Sequence, residues 1–275
     1  MTDRTQLPYL VSLIDDETRE VREEVLKGLS NYGPSLEEDL QEFSEALDSH
    51  LLDFLKPILE NNRRKWLNEN WDSWRNLSEE NHQLEEALSL IAKFQYGVTY
   101  PVKLGRLLDQ LSEEFRTLYP FGNEIDLSNF LFNFKRMKGE KEDYYNPFNS
   151  NLIYVIKEKK GLPISLACVY ILTADRLSLD VKGCNFPGHF LAKTVVDGES
   201  VYIDCFNGGK MLFEEDFKTV ADETFDSISD ILSKNTTAKI IIQRILNNLA
   251  NAYKNVDDKI NSDFISTLLR TKTKD

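Results

Sequence analysis

Hydrophobic residues recur every three or four positions along most of the chain, and this spacing predicts amphipathic α-helices. Two short helices are predicted over 7–14 and 21–29, where the polar stretch DDET separates them and Gly33-Pro34 ends the second. Two such helices expose too much apolar surface when alone, so we expect them to pack against the rest of the chain. Further helical segments are predicted at 36–55, 84–96, 101–119, 125–138, a stretch ending near Lys160, and 164–177.

The pattern changes after the polar connection at 139–150. Short runs of β-branched and aromatic residues predict strands at 181–184, 189–196 and 200–206. Asp197-Gly198 is typical of a two-residue turn that joins antiparallel strands. Helical periodicity returns over the last 55 or so residues and ends in a polar tail. The predicted fold class is therefore α+β, predominantly helical, with a small antiparallel sheet.

Composition and charge narrow the class of partner. The chain has 275 residues, with 46 acidic and 33 basic side chains, and its net charge of −13 argues against nucleic acid or an anionic membrane as the main partner. No stretch approaches the roughly 20 apolar residues that a membrane span needs. The three cysteines lack CxxC spacing, so neither a disulfide framework nor a zinc finger is indicated. We therefore expect a cytoplasmic protein without a cofactor or metal.

A histidine and an aspartate share one face of the predicted hairpin. With a two-residue turn, Asp204 lies opposite Leu191, and His189 is its diagonal neighbour on the same face. A four-residue loop over 195–198 would place His189 and Asp204 directly opposite each other. A carboxylate beside an imidazole orients the ring and stabilises its protonated form, as a catalytic base requires. A structural histidine with a hydrogen-bonding partner explains the pair equally well.

Four ordered motifs carry a resemblance to a known family. They are Asn149-Ser150 before a helix, the run GLPISL at 161–166, the run PGHFL at 187–191, and the run IDCFNGG at 203–209. Together they resemble the SirB-type branch of the transglutaminase-like superfamily, over about residues 80 to 255. The resemblance implies a cysteine-protease-like, papain-like fold in which a central helix packs on a small antiparallel sheet. It also implies that His189 and Asp204 occupy the positions of the superfamily's histidine and aspartate.

The resemblance also implies that the usual nucleophile is missing. Active transglutaminase-like enzymes carry Gly-x-Cys at the start of the central helix, and here Pro163 occupies the position of that cysteine. Ser165 and Cys184 are candidate substitutes, although a serine in the first helical turn ordinarily bonds free backbone groups. Cys168 is expected in the core, and Cys205 is expected to point away from the pair.

Other residues near the pair have structural and functional interpretations. Asn149 and Ser150 are candidates for lining the cleft, although one of them is expected to cap the helix that follows. Pro163 and Gly188 are the other candidate cleft residues, and Gly188 also suits a sharp turn. A metal site at Cys184, His189 and Asp204 is the weakest interpretation, because its spacing matches no standard zinc pattern.

We predict three regions from these patterns. Residues 1–80 form a helical N-terminal region with a HEAT-like unit at 7–31, residues 81–220 the transglutaminase-like core, and residues 221–275 a helical C-terminal extension. The predicted function is non-catalytic binding of a protein or peptide partner in a degenerate active-site cleft. The alternative is a hydrolase or acyltransferase in which His189 and Asp204 serve a non-standard nucleophile.

Overall fold

The computed structural model describes residues 4–41, 49–218 and 231–272 of the chain. The chain divides into two compact units, one formed by residues 1–71 and 93–101 and the other by residues 72–92 and 102–275. Residues 42–48, which belong to the helical segment predicted at 36–55, lie outside the described residues. Within the described ranges, no helix is long and apolar enough to cross a membrane.

Helices build the first unit. Their bounds are α1 Leu7–Ser12, α2 Arg19–Ser30, α3 Ser35–Gln41 and α4 Ser49–Asn70, and α5 Glu80–Tyr96 ends in this unit. The apolar faces of α1 and α2 enter one cluster, in which Leu7, Ile14 and Leu29 are fully buried. Leu36 and Leu55, from α3 and α4, belong to the same cluster. The two short N-terminal helices thus bury their apolar faces against the helices that follow them, as predicted.

The second unit is mixed in composition. Its helices after α5 are α6 Leu104–Leu118, α7 Glu124–Asn129, α8 Leu152–Glu158, α9 Pro163–Arg176, α10 Glu214–Lys218, α11 Ala238–Asn255 and α12 Lys259–Lys272. Helix α9 is its central helix, because every residue from Pro163 to Ala174 is buried. Proline suits the first position of a helix, since the amide hydrogen that it lacks would have no partner within the helix.

An antiparallel sheet packs beside α9. Its strands are β3 Lys182–Cys184, β4 Leu191–Val196, β5 Glu199–Asp204 and β6 Lys210–Leu212, which lie in that order. Val196 pairs with Glu199, so β4 and β5 are joined by the predicted two-residue turn. Asp197 and Gly198 both have positive φ, of 51° and 86°, as a type I′ turn requires. The predicted α+β class, mostly helical with a small antiparallel sheet, is confirmed.

Three local features differ from the expectations. The helix predicted at 125–138 ends early, because α7 stops at Asn129 and residues Phe130–Phe134 form a π-helical turn. A short parallel pair, β1 Lys138–Gly139 with β2 Lys160–Gly161, was not predicted.

The helix cap predicted at Asn149 or Ser150 is wrong. Asn151 caps α8, and its side chain accepts hydrogen bonds from the backbone amides of Ile153 and Tyr154. Asn149 and Ser150 instead end a 3₁₀ turn, Pro147–Ser150, which Asn146 caps.

Candidate functional site

His189 and Asp204 meet at one end of the β4–β5 hairpin. Asp204 is the last residue of β5, whereas His189 lies two residues before β4 begins rather than on a strand. The distance from His189 Nε2 to Asp204 Oδ1 is 2.7 Å. The aspartate side chain is 10% exposed and the histidine side chain 28%. The structure therefore brings the two residues together, with the imidazole on the accessible side.

The carboxylate of Asp204 is held on both oxygens. Asn207 donates its backbone amide to Oδ1 at 3.1 Å and its side-chain amide to Oδ2 at 2.8 Å. Burial alone would raise the pKa of Asp204, but the hydrogen bonds from His189 and Asn207 outweigh it and lower that pKa. An ionised, oriented carboxylate favours the tautomer of His189 that carries a proton on Nε2. Nδ1 has no hydrogen-bonding partner among the described residues.

Arg244 of α11 stabilises the turn that carries His189. The backbone amide of His189 donates to the carbonyl of Phe186 at 3.2 Å, which closes the turn. Arg244 donates to that same carbonyl at 3.0 Å and also to the side chain of Asn185. Its guanidinium lies 5.5 Å from the centre of the Phe190 ring. Arg244 thus fixes the loop on both sides of the Pro-Gly turn that precedes His189.

The start of α9 offers no exposed nucleophile. Pro163 is the first residue of the helix and is buried. Ser165 is 0% exposed, and its hydroxyl has no hydrogen-bonding partner among the described residues. It therefore forms no hydrogen bond with His189. It also forms none with the free backbone groups of the helix end, which a serine in the first turn was expected to bond.

The cysteines do not supply a thiolate. All three are free and buried. Cys184 packs in an apolar cluster with Leu191 and Tyr202, and burial raises its pKa to about 11. Burial also raises the pKa of Cys168 and of Cys205. Because a cysteine nucleophile reacts as its anion, the environment of Cys184 disfavours the role of nucleophile for which the sequence made it a candidate.

The expected cleft residues separate into buried and exposed positions. Asn149 and Ser150 are each 1% exposed, so they lie beneath the surface rather than on an open cleft wall. Asn149 donates its side-chain amide to the carbonyls of Asp143 and Tyr144, at 2.7 and 3.1 Å, and so secures the loop before α8. Pro163 is buried as well. Gly188 is exposed and has a φ of +72°, which suits the turn predicted there.

A cavity lies next to the pair. Its volume is about 440 Å³, and Phe206 and Asn207 form part of its wall. The Phe206 ring meets His189 edge to face, with 6.1 Å between ring centres, and meets Tyr144 in the same way at 6.4 Å. We call this cavity the Phe206 cleft. Its walls are formed by Lys138, Gly139, Glu140, Lys141, Glu142, Lys160, Phe206, Asn207 and Gly208.

The geometry suits proton transfer or ligand orientation by His189. The hydroxyl and thiol candidates described above, Ser165 and Cys184, are both buried rather than exposed beside the imidazole. Among the described residues, no cluster of three or more histidine, cysteine, aspartate or glutamate side chains could hold a metal ion.

Sequence reasoning missed several residues of the site. Asn207 follows Asp204 by three positions, a spacing at which an aspartate often accepts the amide of its own turn, so a signal was present. Phe206 belongs to the motif at 203–209, but nothing in the sequence indicated that its aromatic ring belongs to the site. Arg244 and Gly139 carried no local signal, because chain segments far away in the sequence bring them to the site.

A comparison with protein families matches residues 102–247 to the transglutaminase-like superfamily. The matched region contains α9, the four-stranded sheet, His189 and Asp204.

Similar proteins include a UPF0162 protein from Xylella fastidiosa, which is 31% identical over 200 residues, covering 68% of this chain and 70% of the relative. F-box only protein 21 from mouse is 28% identical over 134 residues, which cover 46% of this chain and 21% of that protein. A UPF0162 protein from Vibrio cholerae is 31% identical over 71 residues, 26% of each chain. No solved structure matches the chain significantly.

Proposed function

The chain belongs to the transglutaminase-like superfamily, and from this premise we propose that it is a non-catalytic member that binds a protein or peptide partner in a degenerate active-site cleft. The observation that carries the proposal is Pro163 at the first position of α9. Active members hold their cysteine at that position, and proline has no group that could attack a carbonyl. The burial of Ser165 and Cys184 supports the same conclusion.

The polar and aromatic groups that remain in the cleft then have a binding role. The imidazole of His189 remains paired with Asp204 and partly exposed, so it can donate or accept a hydrogen bond. The neighbouring Phe206 cleft provides a concave wall with an aromatic surface. Concave sites with a few convergent polar groups are the usual form of a binding site.

We also assign the chain to the SirB-type branch, with residues 7–31 as a HEAT-like unit. The ordered motifs from Asn149 to Gly209 support the first assignment. The paired packing of α1 and α2 in one apolar cluster supports the second. Helical repeats of this kind commonly add contact surface for a protein partner.

Affinity capture tests the binding proposal. Immobilised wild-type protein should retain a defined set of proteins from a lysate of the source organism, and His189→Ala and Phe206→Ala should each lose that set. The double variant Lys254→Ala/Lys259→Ala, which changes exposed residues of α11 and the start of α12, serves as the control and should retain it. Equal retention by all four proteins would contradict a role for the cleft.

Restoring the thiol tests whether the cleft derives from an active site. If α9 and the pair keep the family geometry, the new thiol of Pro163→Cys should react with iodoacetamide at pH 7 faster than the three native buried cysteines do, because His189 would favour its anion. The gain should disappear in Pro163→Cys/His189→Ala, and Pro163→Ala should show no gain. A new thiol that reacts at the same rate with and without His189 would contradict the proposed ancestry of the site.

The intact His189–Asp204 pair also favours a second candidate function. A hydrolase or acyltransferase could use this pair as base and orienting group, with Ser165 or Cys184 becoming accessible when substrate binds. In that case a screen with ester and amide substrates should give turnover that Ser165→Ala or Cys184→Ala abolishes. Turnover that survives both substitutions, or none at all, would rule against it.

A further inference from the structure

The walls of the Phe206 cleft differ in charge from the rest of the chain. Three lysines and two glutamates line the cleft, whereas the whole chain has a net charge of −13. One glutamate, Glu140, is buried and already neutralised. Lys160 lies 3.1 Å from its carboxylate, and the backbone amides of Glu142 and Asp143 donate to it at 2.9 and 3.2 Å. Burial would raise the pKa of Glu140, but these hydrogen bonds lower it.

The other charged side chains of the walls are Lys138, Lys141 and Glu142, which together leave the cleft a net charge of +1. Lys138 and Lys141 are both exposed, and neither forms an ion pair within the described part of the chain. Lys141 Nζ lies 6.0 Å from the centre of the Phe206 ring, over the aromatic wall. This distance is at the outer limit of a cation–π contact, so the exposed ammonium group can still pair with a carboxylate.

The backbone of β1 adds a second feature. Lys138 donates its amide to the carbonyl of Lys159, and Glu140 donates to the carbonyl of Gly161, so both bonds run towards β2. In a strand, alternate residues direct their amide and carbonyl groups to opposite edges, so those of Gly139 point away from β2. Among the described residues, β1 pairs with β2 alone, so the backbone groups of Gly139 on this edge have no strand partner, and Gly139, although buried, lines the cleft. An extended peptide can add its own backbone to such an edge.

From these observations we infer that the Phe206 cleft binds an extended peptide segment that carries carboxylate side chains. The carboxylates pair with Lys138 and Lys141, the peptide backbone bonds the free edge at Gly139, and an apolar peptide side chain packs on Phe206. The inference rests on the proposed function, because it specifies what the partner presents to the cleft. The net negative charge of the chain should also favour binding of an acidic peptide at the Phe206 cleft over other sites, because the rest of the surface repels it.

Peptide pools test the inference directly. We would use three pools of fluorescein-labelled nonapeptides with random flanks, whose centres are Glu-Phe-Glu, Gln-Phe-Gln or Lys-Phe-Lys, and measure fluorescence anisotropy in 50 mM salt. The acidic pool should bind wild-type protein about tenfold more tightly than the neutral pool does, and the preference should shrink in 500 mM salt. The basic pool should not bind.

Matched variants locate the binding. Lys138→Ala/Lys141→Ala should lose the preference for the acidic pool, whereas Lys254→Ala/Lys259→Ala, which removes the same charge from the surface of α11 and α12, should keep it. Both variants should melt at the wild-type temperature, because the lysines are exposed.

The outcomes distinguish this inference from the proposed function. Equal binding of the acidic and neutral pools that depends on Phe206 would overturn the choice of an acidic partner and leave a peptide-binding cleft. An acidic preference that both double variants lose equally would place the binding outside the cleft and overturn the inference. If no pool binds, the inference fails, and the affinity capture decides independently whether the cleft binds another class of partner.

Discussion

Replacing Gly139 with alanine should destabilise the protein through one identified clash. A Cβ atom at this position would lie 2.4 Å from Cδ2, 2.5 Å from Cε2 and 2.6 Å from Cγ of Phe206. Contacts this short force a movement, and the backbone of β1 is held by its hydrogen bonds to the chain around β2. The ring of Phe206 must therefore shift.

The expected magnitude follows from the cost of overpacking. Extra carbon atoms in a packed site destabilise by about 1–3 kcal/mol. For a protein of this size, each kcal/mol lowers the melting temperature by about 2–4 °C, so Gly139→Ala should lower it by about 2–12 °C. Circular dichroism during heating measures the shift. Because Phe206 contacts His189, the same variant should also weaken binding of the acidic peptide pool.

A double-mutant cycle tests the assigned cause. Phe206→Ala removes the three atoms that the new Cβ would meet, so Gly139→Ala should cost less in that background than in the wild type. The two effects should differ from additivity by about 1 kcal/mol or more. Wild-type stability of Gly139→Ala, or strict additivity with Phe206→Ala, would refute the argument that this contact is tight.

Two further predictions concern charge. Ionised Asp204 has a pKa below its ordinary value of 3.8, so it stabilises the folded state above about pH 4 and loses that contribution as the pH falls through the folded pKa. Asp204→Asn should therefore lower the melting temperature more at pH 6 than at pH 3, and an equal loss at both would be inconsistent with this linkage. Arg176, which is 18% exposed, donates to Glu85 at 2.9 Å and to Asp109 at 2.6 Å. Arg176→Met should lower the free energy of unfolding, measured by urea denaturation, by about 1–3 kcal/mol. The exposed control Arg19→Met should lower it by less than about 0.5 kcal/mol. Similar losses in the two variants would contradict a role for burial.

Much of the site could be predicted because its signals are local. Asp197-Gly198 determines the turn type, and the turn then sets the register that brings Asp204 beside His189. The start of α9 at Pro163 could also be predicted from the sequence, because proline favours the first position of a helix. Both features depend on neighbours within a few residues.

Long-range packing explains what could not be predicted. The β1–β2 pair joins two-residue segments that are separated by about 20 positions, and two residues have no readable periodicity. The burial of Cys184 depends on the packing of β3 against the rest of its cluster. The cap of α8 was predicted at the wrong residue because Asn146, Asn149 and Asn151 are all suitable cap residues. The 3₁₀ turn Pro147–Ser150 leaves Asn146 before the turn and Asn151 before α8, so these two residues are the caps.

Iodoacetamide labelling of the folded wild-type protein, followed by mass spectrometry of the three cysteines, tests the central claim most directly. With a pKa of about 11, roughly one Cys184 thiol in 10⁴ is ionised at pH 7, and burial further limits access. The account predicts that Cys168, Cys184 and Cys205 all react more slowly than a free cysteine, and equally slowly in His189→Ala. Rapid labelling of Cys184 that disappears in His189→Ala would reveal an activated thiol and contradict the non-catalytic cleft.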